Sequence, residues 1–356
     1  MKKSLIALAI ASAVSAPAFA ATSNVDIYGK LNFSVNFLID QTDSANDVQL
    51  TSNSSRIGFK GSEDLGGGLS AIWQIESGIA LEEGNGTWAS RNTFLGLKGD
   101  WGTVLGGKHD TPLKLVGRAV DLFGDGIADS RNVLGGGSDT RASNVVAYIS
   151  PNFSGFNVVA AYVTDLGAGV VSGSTTATSF ADQDDRDVYN LNATYSNGPL
   201  YLGAAYGDGN GHEALGLGSH WRLAAGYTFG NFKVVGQYDS LEDDSTTVGT
   251  QNGDYDAWMV GASYTMGAMV FKGNYMMGEY DGLNGAEPEQ WTIGMDYNLS
   301  KRTSVYALYV AGEEFAPFNG SSSALGSGAG ISDVAASCAT CDGDVSAFSV
   351  GIVHSF

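Results

Sequence analysis

The feature that most restricts this chain is an alternation of apolar and polar residues with a period of two, repeated along nearly its whole length. Successive side chains on a strand point to opposite faces, so the pattern gives each strand one apolar and one polar side. Val25, Ile27, Leu31, Phe33, Val35, Phe37 and Ile39 share one face of the first strand, while Asp26, Tyr28, Lys30, Asn32, Ser34 and Asn36 share the other. Tyr189, Leu191, Ala193 and Tyr195 alternate with Asn190, Asn192, Thr194 and Ser196. Trp221, Leu223, Ala225, Tyr227 and Phe229 do so against His220, Arg222, Ala224, Gly226 and Thr228, as do Trp291, Ile293, Met295, Tyr297 and Leu299 against Gln290, Thr292, Gly294, Asp296 and Asn298. Strands of about nine to eleven residues are long enough to cross a bilayer at a tilt.

A soluble sandwich or a secreted barrel would show the same alternation. Three further features point to a membrane barrel. Aromatics gather at the ends of the apolar faces, as interfacial girdles require: Tyr189 with Tyr195, Trp221 with Tyr227 and Phe229, Trp291 with Tyr297. Connections alternate between short turns (Ser196 to Pro199, Gly230-Asn231, Gly267-Ala268) and long polar loops (Asp165 to Arg186, Leu241 to Asp254, Gly312 to Asp344). The chain also ends on a strand whose face carries Phe348, Val350, Ile352, His354 and the last residue, Phe356. With 50 Gly, 6 Pro and 32 Tyr plus Phe, the composition suits strands, tight turns and aromatic belts. After residue 20 no run of 18 apolar residues occurs, which excludes a helical membrane protein. The expected fold is all-β: a transmembrane antiparallel barrel of about 16 strands with both termini on one side.

One long interruption stands out. His109 to Thr140, rich in Gly, Asp and Arg, lies between the strand-like runs GTVLGGK and RASNVVAY. Loops of this length in a compact fold are usually functional or disordered. Leu113, Leu115, Val116, Phe123 and Ile127 give this one apolar residues to pack, which disordered segments lack. The expectation is that this third long loop folds into the barrel lumen and turns its acids towards bases on the wall.

Met1 to Ala20 form a separate unit. Lys2 and Lys3, an apolar run from Leu5 to Val14 and the Ala18-Phe19-Ala20 cleavage site make a secretory signal peptide, too short to span a bilayer as a helix. The mature chain, 21–356, is read as a single barrel domain. Without Lys2 and Lys3, 16 basic side chains stand against 38 acidic ones, a net charge of −22 that argues against nucleic acid as a partner. The two cysteines, Cys338 and Cys341, read as a small-loop disulfide in an oxidising compartment. No βαβ pattern supports a redox-active pair, and too few ligands lie nearby for zinc.

Several segments together resemble the general diffusion porins of Gram-negative outer membranes: VDIYGKLNFS, SRIGFKGSEDLGGGLSAIWQIE, RNTFLGLKGDWGTVLGG, YISPNFSGFNVVAAY and the terminal GIVHSF. The resemblance implies a sixteen-stranded barrel, a homotrimer, a third loop narrowing the channel, and a C-terminal Phe356 read by the barrel-assembly machinery. It also implies a basic wall cluster at Lys30, Arg56, Arg91 and Arg141. The acidic loop residues implied opposite are Asp121 and Asp125, with Asp129 close by, although Asp121-Leu122-Phe123-Gly124 replaces the family's usual P-E-F-G element. Parity alone turns Lys30 and Arg56 inward, since a cation at the lipid midplane costs about 2–4 kcal/mol. Arg91 shares a face with Thr93, Leu95 and Leu97, which leaves its direction open.

The expected function is a passive aqueous channel for ions and small hydrophilic solutes, in contact with outer-membrane lipids and lipopolysaccharide. Alternatives are a substrate-selective channel for sugars or particular anions, where Tyr28 and Tyr306 would be the inward aromatics, a surface receptor or adhesin, and a barrel enzyme. Enzyme readings have little support: no G-x-S-x-G or H-E-x-x-H motif occurs, and His109 and Asp110 point to opposite faces. No cofactor is expected. The acidic runs Asp182 to Asp187 and Glu242 to Asp244 offer oxygen ligands for Ca²⁺ or Mg²⁺, but lack EF-hand spacing, and charge runs are ordinarily solvated loops. Five acids between His109 and Thr140 against three bases, Lys114, Arg118 and Arg131, lead to an expected mild cation selectivity.

Overall fold

The computed structural model describes residues 24–39, 48–134, 139–164, 187–212, 217–242, 254–281, 287–314 and 344–356. The signal peptide, Cys338, Cys341 and most of the acidic runs at 182–187 and 242–244 lie outside the described residues. The first half of the chain supplies β1 (Asn24–Ile39), β2 (Val48–Ser52), β3 (Arg56–Gly66), β4 (Leu69–Ala80), β5 (Asn85–Thr87), β6 (Thr93–Gly99), β7 (Gly102–Asp110), β8 (Arg141–Ile149) and β9 (Phe156–Val163). The second supplies β10 (Val188–Asn197), β11 (Leu200–His212), β12 (Leu217–Phe229), β13 (Phe232–Leu241), β14 (Tyr255–Met266), β15 (Met269–Tyr280), β16 (Glu289–Asn298), β17 (Thr303–Glu313) and β18 (Val345–Ser355).

Neighbouring strands pair antiparallel around the barrel, apart from β2 with β3 and β5 with β6, and β18 returns to pair with β1 from Lys30↔Ser355 to Ile39↔Ser346. The segments β2 and β3 both pair with β1 and fill one position in the barrel; β5 and β6 likewise share one beside β4. The result is a closed barrel of 16 strands, as the alternation implied. Closure leaves no sheet edge, which a lipid environment demands because water is absent there to bond a free N–H or C=O.

The two faces follow the sequence period. Ile27, Trp221, Leu223 and Ile293 stand exposed on the outside, whereas Asn32, Ser34 and Asn36 of β1 are buried on the inside. Short turns hold the barrel at one rim. Gly230 (φ 58°) and Gly267 (φ 61°) take the positive φ that a type II′ hairpin needs at its first central residue, a conformation other L residues resist. Irregular backbone occurs within the wall at two places, residues 53–55 and 88–92, both beside the Glu76–Gly78 stretch of β4. The second break explains Arg91. The strand is interrupted just before Thr93, so parity cannot be carried back to it.

The seam is closed by the chain's last residue. Gly29 N donates to Phe356 O at 3.0 Å and Phe356 N to Gly29 O at 3.1 Å, and the Phe356 ring lies where a side chain on Gly29 would stand. Phe356→Ala keeps both backbone bonds and removes the ring. We expect it to lower barrel stability by about 1–2 kcal/mol, read as a lower conversion temperature in a heated gel-shift series, with wild-type conductance in the channels that assemble.

Candidate functional site

Residues 111–134, with 139 and 140, pack on the face of the wall opposite the exposed apolar one. After Asp110 the chain turns into a short helix, α1 (Pro112–Arg118), capped by the Thr111 side chain, which accepts from Lys114 N. Leu113, Val116, Val120, Phe123, Ile127, Val133 and Leu134 are buried against wall residues such as Ala205, Ala224, Val235, Met259, Met276 and Leu308. The wall makes room with glycines. A Cβ added to Gly203, Gly261, Gly294 or Gly278 would stand 2.9, 3.1, 3.0 and 3.3 Å from Val116, Leu122, Phe123 and Val133 respectively, so each absent side chain is a socket for a loop residue.

Polar anchors complete the seat. Arg222 of β12, fully buried, donates to Leu113 O at 3.0 Å and Leu134 O at 3.3 Å and pairs with Asp139 from the loop and Asp239 from β13. Gln237 and His220 also approach Asp239. Asn192 donates to Pro112 O at 2.9 Å, Tyr280 to Val133 O at 2.6 Å, and Gln290 to Ala128 O at 3.1 Å while accepting from Asn132 at 2.7 Å. None of these wall anchors was singled out as a site residue from sequence, although the alternation already turned Arg222, Asn192 and Gln290 inward. What they bind lies too far along the chain to be read: Arg222 and Leu113 are 109 residues apart.

The four wall cations converge opposite the loop. Lys30 and Arg56 are direct cross-strand partners, an arrangement of like charges that is destabilising on its own. Asp125 relieves it: its carboxylate lies 3.0 Å from Lys30 Nζ and 3.8 Å from Arg56. Glu76 of β4 continues the series, 3.8 Å from Arg56, 2.7 Å from Arg91 Nε and accepting from Tyr28 Oη at 2.9 Å. Arg141 closes it, 3.0 Å from Asp110 and bonded to Asn92 at 2.9 Å. Lys30, Arg56 and Arg91 therefore alternate with Asp125 and Glu76 in a ladder, and the Arg141–Asp110 pair, joined through Asn92, stands at its end. Glu76 could have been found earlier, since Gln74 and Glu76 alternate with Trp73 and Ile75.

The loop acids separate into two roles. Asp125, at φ 70°, reaches the wall. Asp121 and Asp129 do not. Asp121 accepts from Phe123 N, Ser130 N and Ser130 Oγ, and Asp129 from Arg131 N, Arg131 Nε and Asp125 N. Their side chains are 1% and 0% exposed, against 12% for Asp125. The expectation that all three acids line the aperture is thus narrowed to Asp125, because the loop's own turns use the other two. Arg118 sits among all three, bonded to Asp129 at 2.7 Å and in close contact with Asp125. Burial raises the Asp125 carboxyl, but Arg118 first and then Lys30 hold it well below the usual carboxylate range. Asp121 is pushed up, by burial and then by Asp129. Among the described residues, no group of three or more His, Cys, Asp or Glu side chains is arranged to hold a metal ion.

Arg222→Met tests the anchoring. It leaves Asp139 and Asp239 buried without their cation, an effect of about 3–5 kcal/mol. We expect a matching loss in urea unfolding, together with increased open-channel current noise as the loop loosens.

Comparison with known proteins places this geometry in context. A family model described as Gram-negative porin matches residues 7–314. The major outer membrane protein P.IB of Neisseria gonorrhoeae is 28% identical over 345 residues, covering 88% of this chain and 93% of that protein. The outer membrane porin protein 32 of Delftia acidovorans is 32% identical over 329 residues, covering 86% and 88%. Among solved structures, the anion-selective porin from Comamonas acidovorans superposes with a TM-score of 0.72 at 27% identity, over 94% of this chain and 100% of that one.

Proposed function

Because the chain belongs to the Gram-negative porin family and forms a passive, water-filled channel across the outer membrane, we propose that its constriction favours anions and that three such barrels assemble side by side. The family is one of channels, not enzymes. The observation that supports anion preference is the unequal exposure of the two signs of charge. Lys30, Arg56 and Arg118 side chains are 24%, 25% and 27% exposed, while Asp125, Glu76, Asp121 and Asp129 are 12%, 8%, 1% and 0% exposed. Around Asp125, water meets the cationic groups with the carboxylates behind them; at the far end of the ladder Arg141 and Asp110 are equally exposed, at 16% each. This proposal departs from the mild cation selectivity expected from counting charges along the sequence. A related porin from Comamonas acidovorans is described as anion-selective, in keeping with this reading. The chain's large negative charge lies elsewhere, and charges in outer loops act over about a Debye length, ~8 Å at physiological salt.

The test is the zero-current potential of single channels in a KCl gradient. The expected sign is that of chloride preference, persisting at 1 M salt, where the Debye length falls to ~3 Å. Arg56→Ala shifts the potential towards cations and raises conductance; Asp125→Asn shifts it towards anions; Asp121→Asn, being inside the loop's fold, moves it little. A cation preference in the wild-type protein overturns the reading.

Lys114 adds a pH dependence. Burial, and next Arg131, push its amine down to about 8, with Asp110 and Asp139 pulling the other way. Anion preference therefore falls between pH 7 and 9 as Lys114 discharges, and Lys114→Gln removes that dependence. The sign for stability is opposite to that of a stabilised ammonium: between about 8 and the unfolded value of ~10.4 the unfolded chain holds the extra proton, so stability rises with pH across that window.

Trimer formation draws support from the outer face. Irregular backbone at bilayer depth is tolerated where protein covers it. Asn53, Ser54 and Ser55 of the first break are already buried within the chain, whereas Trp88, at the start of the break at 88–92, is 68% exposed with its ring 6.3 Å from Phe59. A second copy of the chain is the covering surface this face calls for. Native mass spectrometry in mild detergent is expected to give the trimer mass, and Trp88→Asp to shift the population towards monomer. Lipopolysaccharide contact and recognition of Phe356 by the assembly machinery belong to the same proposal.

A further inference from the structure

We propose that Gly58 and Gly351 set the free width of the lumen by giving Tyr28 and Tyr306 a flat seat against the wall. Tyr28 and Gly58 are direct cross-strand partners on β1 and β3, and Tyr306 and Gly351 are direct partners on β17 and β18. All four positions have inward parity. In both pairs a methyl group added to the glycine would overlap Cζ and Oη of the tyrosine, so each ring lies across its neighbour strand in the space a side chain would occupy. The two seats flank the seam between β18 and β1, beside the Lys30–Arg56 pair.

Each ring is held down at its far end. Tyr28 Oη donates to Glu76 at 2.9 Å, and Lys60 Nζ stands 5.2 Å from the ring centroid. Tyr306 Oη accepts from Asn53 Nδ2 at 3.2 Å and donates to Asn32 Oδ1 at 3.3 Å. A side chain on the glycine leaves the ring one way to go. Parity forbids the lipid side and the backbone blocks the wall, so the ring turns about its Cα–Cβ bond and stands up into the water of the lumen. Glycine here serves close approach, with no demand for an unusual φ, since neither residue has positive φ. The same contact positions Glu76 between Arg56 and Arg91, so Gly58 acts through Tyr28 on the ladder as well as on the width.

The experiment compares single-channel conductance and the rate of liposome swelling with a series of neutral sugars, which reads width independently of charge. Gly58→Ala is expected to lower conductance and to slow the larger sugars more than the smaller ones. Gly58→Ala combined with Tyr28→Ala is expected to restore both to the wild-type level or above, because no ring remains to be displaced. Tyr28→Ala alone raises conductance, and Tyr28→Phe, which keeps the ring, leaves swelling with sugars unchanged. If Gly58→Ala fails to assemble, Gly351→Ala with and without Tyr306→Ala carries the same comparison. Unchanged swelling in a folded glycine variant, a loss that persists in the double variant, or a Tyr28→Ala channel no wider than wild type overturns the proposal.

Discussion

A backbone in lipid has no water with which to satisfy its N–H and C=O groups, and everything else in this molecule follows from meeting that demand with strands. A closed antiparallel sheet is the strand solution, and closure fixes an inside and an outside for every residue by parity alone. The same requirement then returns inside the barrel. The inserted segment from 111 to 134 brings its own backbone groups to a surface already built, and the wall answers with Arg222, Asn192, Tyr280 and Gln290 for its carbonyls and with glycines for its side chains. The aperture is what remains once both sets of bonds are made.

The wall was legible because its signal is local. The alternation assigned β1, β10, β12 and β16 with the correct faces, and the turn glycines at 230 and 267 fell where the chain reverses. Arg91 was not legible, since parity fails across the irregular backbone at 88–92. The loop acids illustrate a second limit. Asp121, Asp125 and Asp129 look equivalent along the chain, but a carboxylate can face water or accept from the backbone of its own turn, and only the folded loop separates Asp125 from its neighbours. Glu76 was readable by parity; Arg222 was readable as inward, though not as an anchor, because its partners come from positions remote in sequence.

If the constriction favours anions as proposed, net charge is a poor guide to the field at the narrow point. The chain is strongly acidic, but Asp125, Glu76, Asp121 and Asp129 are turned further from water than Lys30, Arg56 and Arg118. In a narrow passage the nearest solvent-facing charges dominate, and their exposure matters as much as their number. The ladder also binds the aperture's two sides together: Asp125 relieves the repulsion between Lys30 and Arg56, so removing the loop would leave the wall less stable as well as the channel wider.

The buried guanidinium of Arg222 carries this mutual dependence furthest. Of its partners, Asp239 comes from the wall and Leu113, Leu134 and Asp139 from the inserted segment, and all are withdrawn from water. Neither surface completes its hydrogen bonding without the other, so barrel and loop belong to one cooperative unit. The inserted segment is therefore not a detachable plug. Divergence among such chains should change Arg222, Asp139 and Asp239 in concert or not at all, which makes the interior of the wall a record of the loop it once closed around.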